Sequence, residues 1–232
     1  MNLYLVRHGR TYWNEAGRLQ GWSESNLTLE GLEQASRTAT FFAEMQARRQ
    51  ITFHTLYSSP LNRTWYTAAA LGQALSLVPI AVPDLREMAG GAAEGMTRDE
   101  WRAHWPALWE LAQDRHNADF GWPGGETRRS FRDRSLRAVD TILARHGPHD
   151  NVIAVTHGGF IKAYLQAAGL DDPLGPRSYD ADNCSITYVH FPPLDAHDGG
   201  NDPWIGCLRG FNETRHLQDD TVLQLANVDV EL

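Results

Sequence analysis

The sequence predicts an α/β fold: a three-layer α/β/α sandwich with a mostly parallel central sheet and an inserted helical lid. Three observations carry this. Short apolar runs of strand length alternate with segments of helical period along the chain. Two of those runs end in matching tips, Val6-Arg7-His8-Gly9 and Val155-Thr156-His157-Gly158-Gly159. A tryptophan-rich stretch at about 97–125, with Trp101, Trp105, Trp109 and Trp122, interrupts the alternation and reads as the lid.

The first apolar run, Leu3 to Val6, has the length of a buried strand and is bounded by Gly9. In open parallel sheets ligands sit beyond the carboxyl ends of strands, so Arg7 and His8 arrive where such a fold puts chemistry. Residues 9–25 read as a loop with room for one helical turn. A loop that long is usually functional or disordered, and Trp13 and Trp22 argue for order. Thr28 suits the N-cap of a helix reaching about Arg48, with Glu30 and Glu33 early and Leu32, Ala35, Ala39 and Phe42 at helical spacing.

Residues 52–57 read as the second strand. Ser59 and Pro60 read as the cap and first turn of a helix to about Leu75. Residues 78–82 form a third strand leading to Asp84-Leu85-Arg86-Glu87, then a Gly/Ala-rich turn. Residues 98–114 read as one or two short helices over the core. Residues 126–145 read as a long helix with Val139, Ile142 and Leu143 on its apolar stripe. Residues 151–156 are the clearest strand after the first, and a helix to about Ala168 follows. Residues 185–191 and 204–210 read as the last strands, with a polar excursion at 195–202 and a weakly patterned tail from Leu217. No repeat or linker divides the chain, so a single domain over 1–232 is expected.

The 232 residues are 42% hydrophobic and 22% charged, ordinary for a soluble domain able to bury a full core. Two cysteines, Cys184 and Cys207, argue against a disulfide framework and show no zinc-type spacing, and reduced thiols suit the cytosol. The net charge of -8 argues against a nucleic-acid partner. No secretory signal or apolar run of membrane-spanning length is visible, so the expectation is a soluble cytoplasmic protein, and a homodimer is compatible with it.

One histidine at a strand end reads as structural, but two matching ends in one sheet make coincidence the minority reading. Arg7 and Arg63 add guanidiniums whose fixed donors match phosphate oxygens in pairs. The helix start after Ser59 adds backbone N–H groups. Two arginines and two histidines make an electropositive pocket in an acidic chain, suited to a phosphoryl group. Glu87 follows a strand end, where a carboxyl group can protonate a leaving alkoxide; from position alone it is equally an ordinary solvated glutamate.

The ordered motifs resemble the histidine phosphatase superfamily, also called phosphoglycerate-mutase-like, from Leu3 to about Val189. They are Leu5-Val6-Arg7-His8-Gly9 with Thr11 and Asn14, Arg18-Leu19-Gln20-Gly21, and Leu27-Thr28-Leu29-Glu30-Gly31. Next come Ser58-Ser59-Pro60-Leu61-Asn62-Arg63 with Thr67-Ala68, Leu85-Arg86-Glu87 with Glu94-Gly95, Gly124-Gly125-Glu126, and Thr156-His157-Gly158-Gly159. The resemblance implies His8 as the phosphorylated nucleophile. It implies Arg7, Arg63 and His157 as holders of the phosphoryl oxygens, with Asn14 assisting and Gln20 and Gly21 beside the substrate. It implies Glu87 as proton donor, then base for water. The cationic side chains stand in for a metal, so no metal or cofactor is required, and the ligand is a small phosphorylated metabolite.

Two departures matter. Arg10 stands where the family commonly has an acidic or polar residue; it can meet a second substrate anion or, as the better reading, pair with a nearby carboxylate. Ala93 replaces an aromatic, which is expected to widen the pocket mouth. Mutases of the family carry an Arg-His-Tyr-Gly type run after the catalytic glutamate, whereas Glu87 precedes Met88-Ala89-Gly90-Gly91. A phosphomonoester hydrolase is therefore favoured over a cofactor-dependent phosphoglycerate mutase, and both over a non-catalytic phospho-ligand binder. The lid tryptophans can line a pocket mouth, although packing is expected for at least two. Arg128, Arg129, Arg132 and Arg134 are expected to form a solvated helix face.

Overall fold

The computed structural model describes residues 1–49, 51–114, 116–170, 180–193 and 206–218. Among them, six strands form one sheet: β1 (Asn2–Arg7), β2 (Phe53–Ser58), β3 (Ile80–Ala81), β4 (Asn151–Thr156), β5 (Ile186–His190) and β6 (Cys207–Glu213). Their spatial order is β3-β2-β4-β1-β5-β6. Strands β1 to β4 pair in parallel, and β5 and β6 add an antiparallel edge. The α/β class and the mostly parallel sheet are as the sequence predicted.

The helices are α1 (Tyr12–Glu15), α2 (Leu29–Arg49), α3 (Asn62–Leu75), α4 (Arg98–His104), α5 (Pro106–Gln113), α6 (Arg128–Leu143) and α7 (Gly158–Ala167). Helices α6 and α7 cover one face of the sheet. There Phe131, Val139, Ile142, Phe160 and Ile161 pack on Leu3, Leu5, Val152 and Ala154. Helices α2 and α3 cover the other, with Phe42, Ala68 and Leu71 on Val6, Ile153 and Val155. Alternate residues of one strand thus enter two cores, which is why β1 and β4 read as unbroken apolar runs.

Register sets the site. Arg7 pairs with Thr156 at the last step of the β1–β4 ladder, so His8 and His157 leave the sheet side by side.

Some boundaries differ from expectation. Helix α3 begins at Asn62 with Leu61 at its N-cap, so Ser59 is not the cap. The Glu24 carboxylate accepts from the Asn62 N–H at 3.0 and 3.2 Å, taking up a first-turn donor. Strand β3 shrinks to two residues because Pro79 and Pro83 flank it and cannot donate to a ladder. Helix α6 begins at Arg128 behind a reciprocal cap between Thr127 and Ser130, leaving Glu126 outside it. The last strand runs Cys207–Glu213; Trp204, the 195–202 excursion and the tail from residue 219 lie outside the described residues.

Helices α4 and α5 carry their own small core. Trp101, Trp105, Phe120 and Trp122 pack with Leu19, Leu108 and Ala93. Ala93 is fully buried there and its carbonyl accepts from Trp101 Nε1 at 3.1 Å. Its small side chain thus makes room for a tryptophan and does not widen a pocket mouth. Among the described residues, no helix is long and apolar enough to cross a membrane.

Candidate active site

His8 stands one residue past β1 and is buried. Its Nδ1 lies 2.8 Å from the Gly9 carbonyl. A carbonyl only accepts, so Nδ1 carries the hydrogen and Nε2 keeps a free lone pair. Burial, then the Arg63 and Arg7 guanidiniums, push the imidazole well below its ordinary pKa, so the ring is neutral at pH 7. The turn beyond it is held by the Gly9 N–H on Thr67 Oγ1 at 3.0 Å.

Three cationic or polar groups act on this ring: Arg63 and Arg7 through their charge and His157 as its ring neighbour. Arg7 donates Nη1 to Ala181 O at 2.6 Å. Arg63 donates Nη1 to Ser23 O at 2.9 Å and Nη2 to Gly21 O at 2.6 Å. His157 bonds Ser59 Oγ through Nε2 at 2.9 Å, and its ring centre lies 5.3 Å from that of His8. Each keeps one buried nitrogen without a partner among the described residues: Arg7 Nε, Arg63 Nε and His157 Nδ1. Burial lowers the Arg63 guanidinium to about 10, still cationic at neutral pH. Unpaired buried donors of this kind cost free energy unless an anion meets them.

Glu87 reaches the same place from a separate loop. Its Oε2 accepts from the Gly159 N–H at 3.0 Å and its Oε1 from the Met88 N–H at 2.8 Å. A side chain at Gly159 would fall onto the carboxylate, so the second glycine after His157 lets Glu87 take this position against the backbone. The structure therefore brings His8, Arg7, Arg63, His157 and Glu87 together from β1, α3, the β4 tip and the loop after β3.

The family model for the histidine phosphatase superfamily (branch 1) matches residues 3–195. The chain belongs to the histidine phosphatase superfamily. It is 36% identical over 228 residues to the metal-independent phosphoserine phosphatase of Arabidopsis thaliana, covering 96% of this chain and 85% of the relative. It is 30% identical over 222 residues to the probable phosphoglycerate mutase GpmB of Proteus mirabilis, covering 94% and 96%. The solved mycobacterial glucosyl-3-phosphoglycerate phosphatase complexed with VO3 superposes with a TM-score of 0.75 at 28% identity, covering 92% and 99%.

The remaining expected site residues are Asn14, Gln20 and Gly21. Asn14 Oδ1 accepts from the Thr11 N–H and Oγ1 and from Asn183 Nδ2, which leaves the Asn14 amide nitrogen to donate. Gln20 is buried with Oε1 unpartnered among the described residues. Gly21 supplies the carbonyl that holds Arg63.

Residues without an expected role also appear. Asn183 donates to His8 O at 3.0 Å. Glu94 accepts from the N–H groups of Trp22, Ser23 and Gly90, each at 2.9 Å, and from the Ser23 hydroxyl at 2.5 Å. Only the Glu94-Gly95 motif hinted at it. The solvated arginine face is corrected: Arg134 is buried, and Arg128 donates to the carbonyls of Ala112, Asp114 and Asn117. Arg129 keeps the expected exposed position, paired with Asp119 at 2.9 Å. Arg10 pairs with Glu30 at 3.2 Å and Glu15 at 3.5 Å, as the better reading had it. A cleft of about 310 Å³ adjoins the site through Asn183, lined also by Arg10, Gln34 and Asp182; none of the five central side chains lines it.

Proposed function

We propose that the chain is a metal-independent phosphomonoesterase that turns over small phosphorylated metabolites through a phosphohistidine at His8. One observation carries the reading. A neutral imidazole with a free Nε2 lone pair lies within electrostatic reach of Arg7 and Arg63 and beside His157, and each of these three keeps a buried nitrogen that lacks a partner among the described residues.

In the first step His8 Nε2 attacks phosphorus and the P–O ester bond breaks. Its electron pair leaves on the alcohol oxygen, which takes a proton from Glu87. The arginines and His157 offset the charge on the peripheral oxygens, and the Gly9 carbonyl stabilises the imidazolium that forms. In the second step the Glu87 carboxylate takes a proton from water, which attacks phosphorus. The P–N bond breaks, inorganic phosphate leaves and His8 returns to neutrality. Asn14, Gln20 and Gly21 are assigned to the substrate side of this site, and residues 97–125 to a lid within a single domain.

Hydrolysis is favoured over mutase chemistry by the Met88-Ala89-Gly90-Gly91 run after Glu87, which lacks the Arg-His-Tyr-Gly type residues of the family's mutases. The 36% identical plant phosphatase makes phosphoserine the first ester to test.

Purified protein in excess EDTA is expected to hydrolyse p-nitrophenyl phosphate and at least one member of a panel holding phosphoserine, glucosyl-3-phosphoglycerate and 3-phosphoglycerate. His8→Ala should abolish turnover and the acid-labile phosphoryl label that wild type acquires. Interconversion of phosphoglycerates with negligible hydrolysis would overturn the reading.

A further inference from the structure

Arg134 sits on α6, and its hydrogen bonds go to Glu126 and to the loop carrying Glu87 rather than to the proposed phosphoryl-binding groups. A guanidinium has five N–H donors. Each of those on Arg134 meets an acceptor around one loop. Nε and Nη2 donate to the Glu126 carboxylate at 2.8 and 2.7 Å. Nη1 donates to the carbonyls of Asp84 and Arg86 at 2.7 and 2.8 Å, and Nη2 donates also to that of Glu87 at 3.0 Å. The Arg134 side chain is 8% exposed and that of Glu126 19%.

Glu126 closes the grip from the other end. Its Oε2 accepts from the Ala89 N–H at 2.9 Å, and its own N–H donates to Ala89 O at 3.0 Å. The pair therefore holds residues 84, 86, 87 and 89, the backbone on both sides of the Glu87 side chain. We infer that the Arg134–Glu126 ion pair is a positioning device that sets the Glu87 carboxyl at the leaving-group oxygen. This rests on the reading of Glu87 as proton donor.

The physical case is one of specificity. A buried ion pair adds little net stability compared with an apolar pair of similar volume. What it adds here is a set of directional bonds converging on one short loop. Proton transfer needs the donor within hydrogen-bond reach of the oxygen, and an error of about 1 Å can cost about 100-fold in rate. Lysine at 134 offers three donors from one point and cannot span the same acceptors.

The test compares two esters. p-Nitrophenolate leaves without a proton, whereas the alkoxide of β-glycerophosphate needs one. Arg134→Lys should lower kcat/KM for β-glycerophosphate by about 10- to 100-fold, and for p-nitrophenyl phosphate at least tenfold less. Glu87→Gln should show the same selectivity, and adding Arg134→Lys to it should cost little more. If Arg134→Lys folds poorly, Glu126→Gln carries the same comparison. Parallel loss on both esters, with Glu87→Gln still selective, would overturn the positioning role. An unselective Glu87→Gln would instead remove the proton-donor reading, and the inference with it.

Discussion

The Ser59 hydroxyl lies 2.9 Å from His157 Nε2, and both side chains are fully buried. The bond takes one imidazole nitrogen and leaves Nδ1 as the one available to a phosphoryl oxygen. Ser59→Ala frees the ring to turn and leaves Nε2 buried without its partner. A lost hydrogen bond of about 1.4 kcal/mol corresponds to about a tenfold fall in kcat/KM. Weaker inhibition by vanadate should accompany it. Kinetics within twofold of wild type would show that packing alone orients His157.

Glu94 should act on Arg63 through the backbone. Its carboxylate takes four donors from residues 22, 23 and 90, and the carbonyls of Gly21 and Ser23 in that same loop hold Arg63. Glu94→Gln turns an amide N–H₂ toward donors and breaks about half of these bonds. The expected loss is about 2–4 kcal/mol of stability. Inhibition by inorganic phosphate should weaken as well, because Arg63 loses its fixed seat. Thermal melts and competitive inhibition constants measure the two effects separately. A lowered Tm with unchanged phosphate inhibition would mean that Arg63 is held without Glu94.

Much of this site was legible in the chain, for identifiable reasons. Strands β1 and β4 are buried on both faces, so they stand out as apolar runs, and the His-Gly tips mark where they stop. What lay beyond reach was contact between distant segments. The β1–β4 register that makes His8 and His157 neighbours is written in neither strand alone. Arg134 shares its spacing with Arg128 and Arg129, and only the crossing of the 84–89 loop over α6 buries it. Ser59 reads as a cap because Ser-Pro is a common helix start. Its real partner lies 98 residues further on.

Acid should destabilise the free protein early. Burial pushes His8 and His157 well below their ordinary range, and His216 down to about 4. The unfolded chain protonates these rings below about pH 6.5 while the folded protein does not. Unfolding then takes up protons, so stability falls as pH drops from 6.5 toward the folded-state values and is flat above. From pH 7 to 5 the His216 ring alone should cost about 2 kcal/mol, and His8 and His157 add to the loss in the same direction, so Tm should fall by at least several degrees. Calorimetry across that range checks it. A Tm constant within about 2 °C would contradict the neutral buried rings.

Arg10 should matter little to catalysis. Its guanidinium is 41% exposed and already paired with Glu30 and Glu15. Surface pairs of this kind contribute about 0–1 kcal/mol. Arg10→Ala is expected to leave kcat/KM within about twofold across the substrate panel. A selective loss on one doubly anionic substrate would return Arg10 to the binding site.

Gly31 offers a test of how the nucleophile's turn is seated. Inside an exposed helix, Gly→Ala commonly stabilises by roughly 0.5–1 kcal/mol. Gly31 lies in the first turns of α2, where that gain would be expected. Its backbone, however, presses against the residues just after His8. An added Cβ would fall far inside contact with the Arg10 carbonyl, and one at Gly9 would strike the Gly31 carbonyl. The obstacle is main chain on both sides, which cannot swing away as a side chain can. Gly31→Ala should therefore destabilise by about 1–3 kcal/mol. The turn carrying His8 must shift to relieve the clash, so kcat should fall more steeply than Tm alone suggests, by 10- to 100-fold for a displacement approaching about 1 Å. Gel filtration and melts would show a folded protein, and burst-phase labelling of His8 would show slowed phosphorylation. A variant more stable than wild type with full activity would mean that α2 and the His8 turn are not packed main chain to main chain.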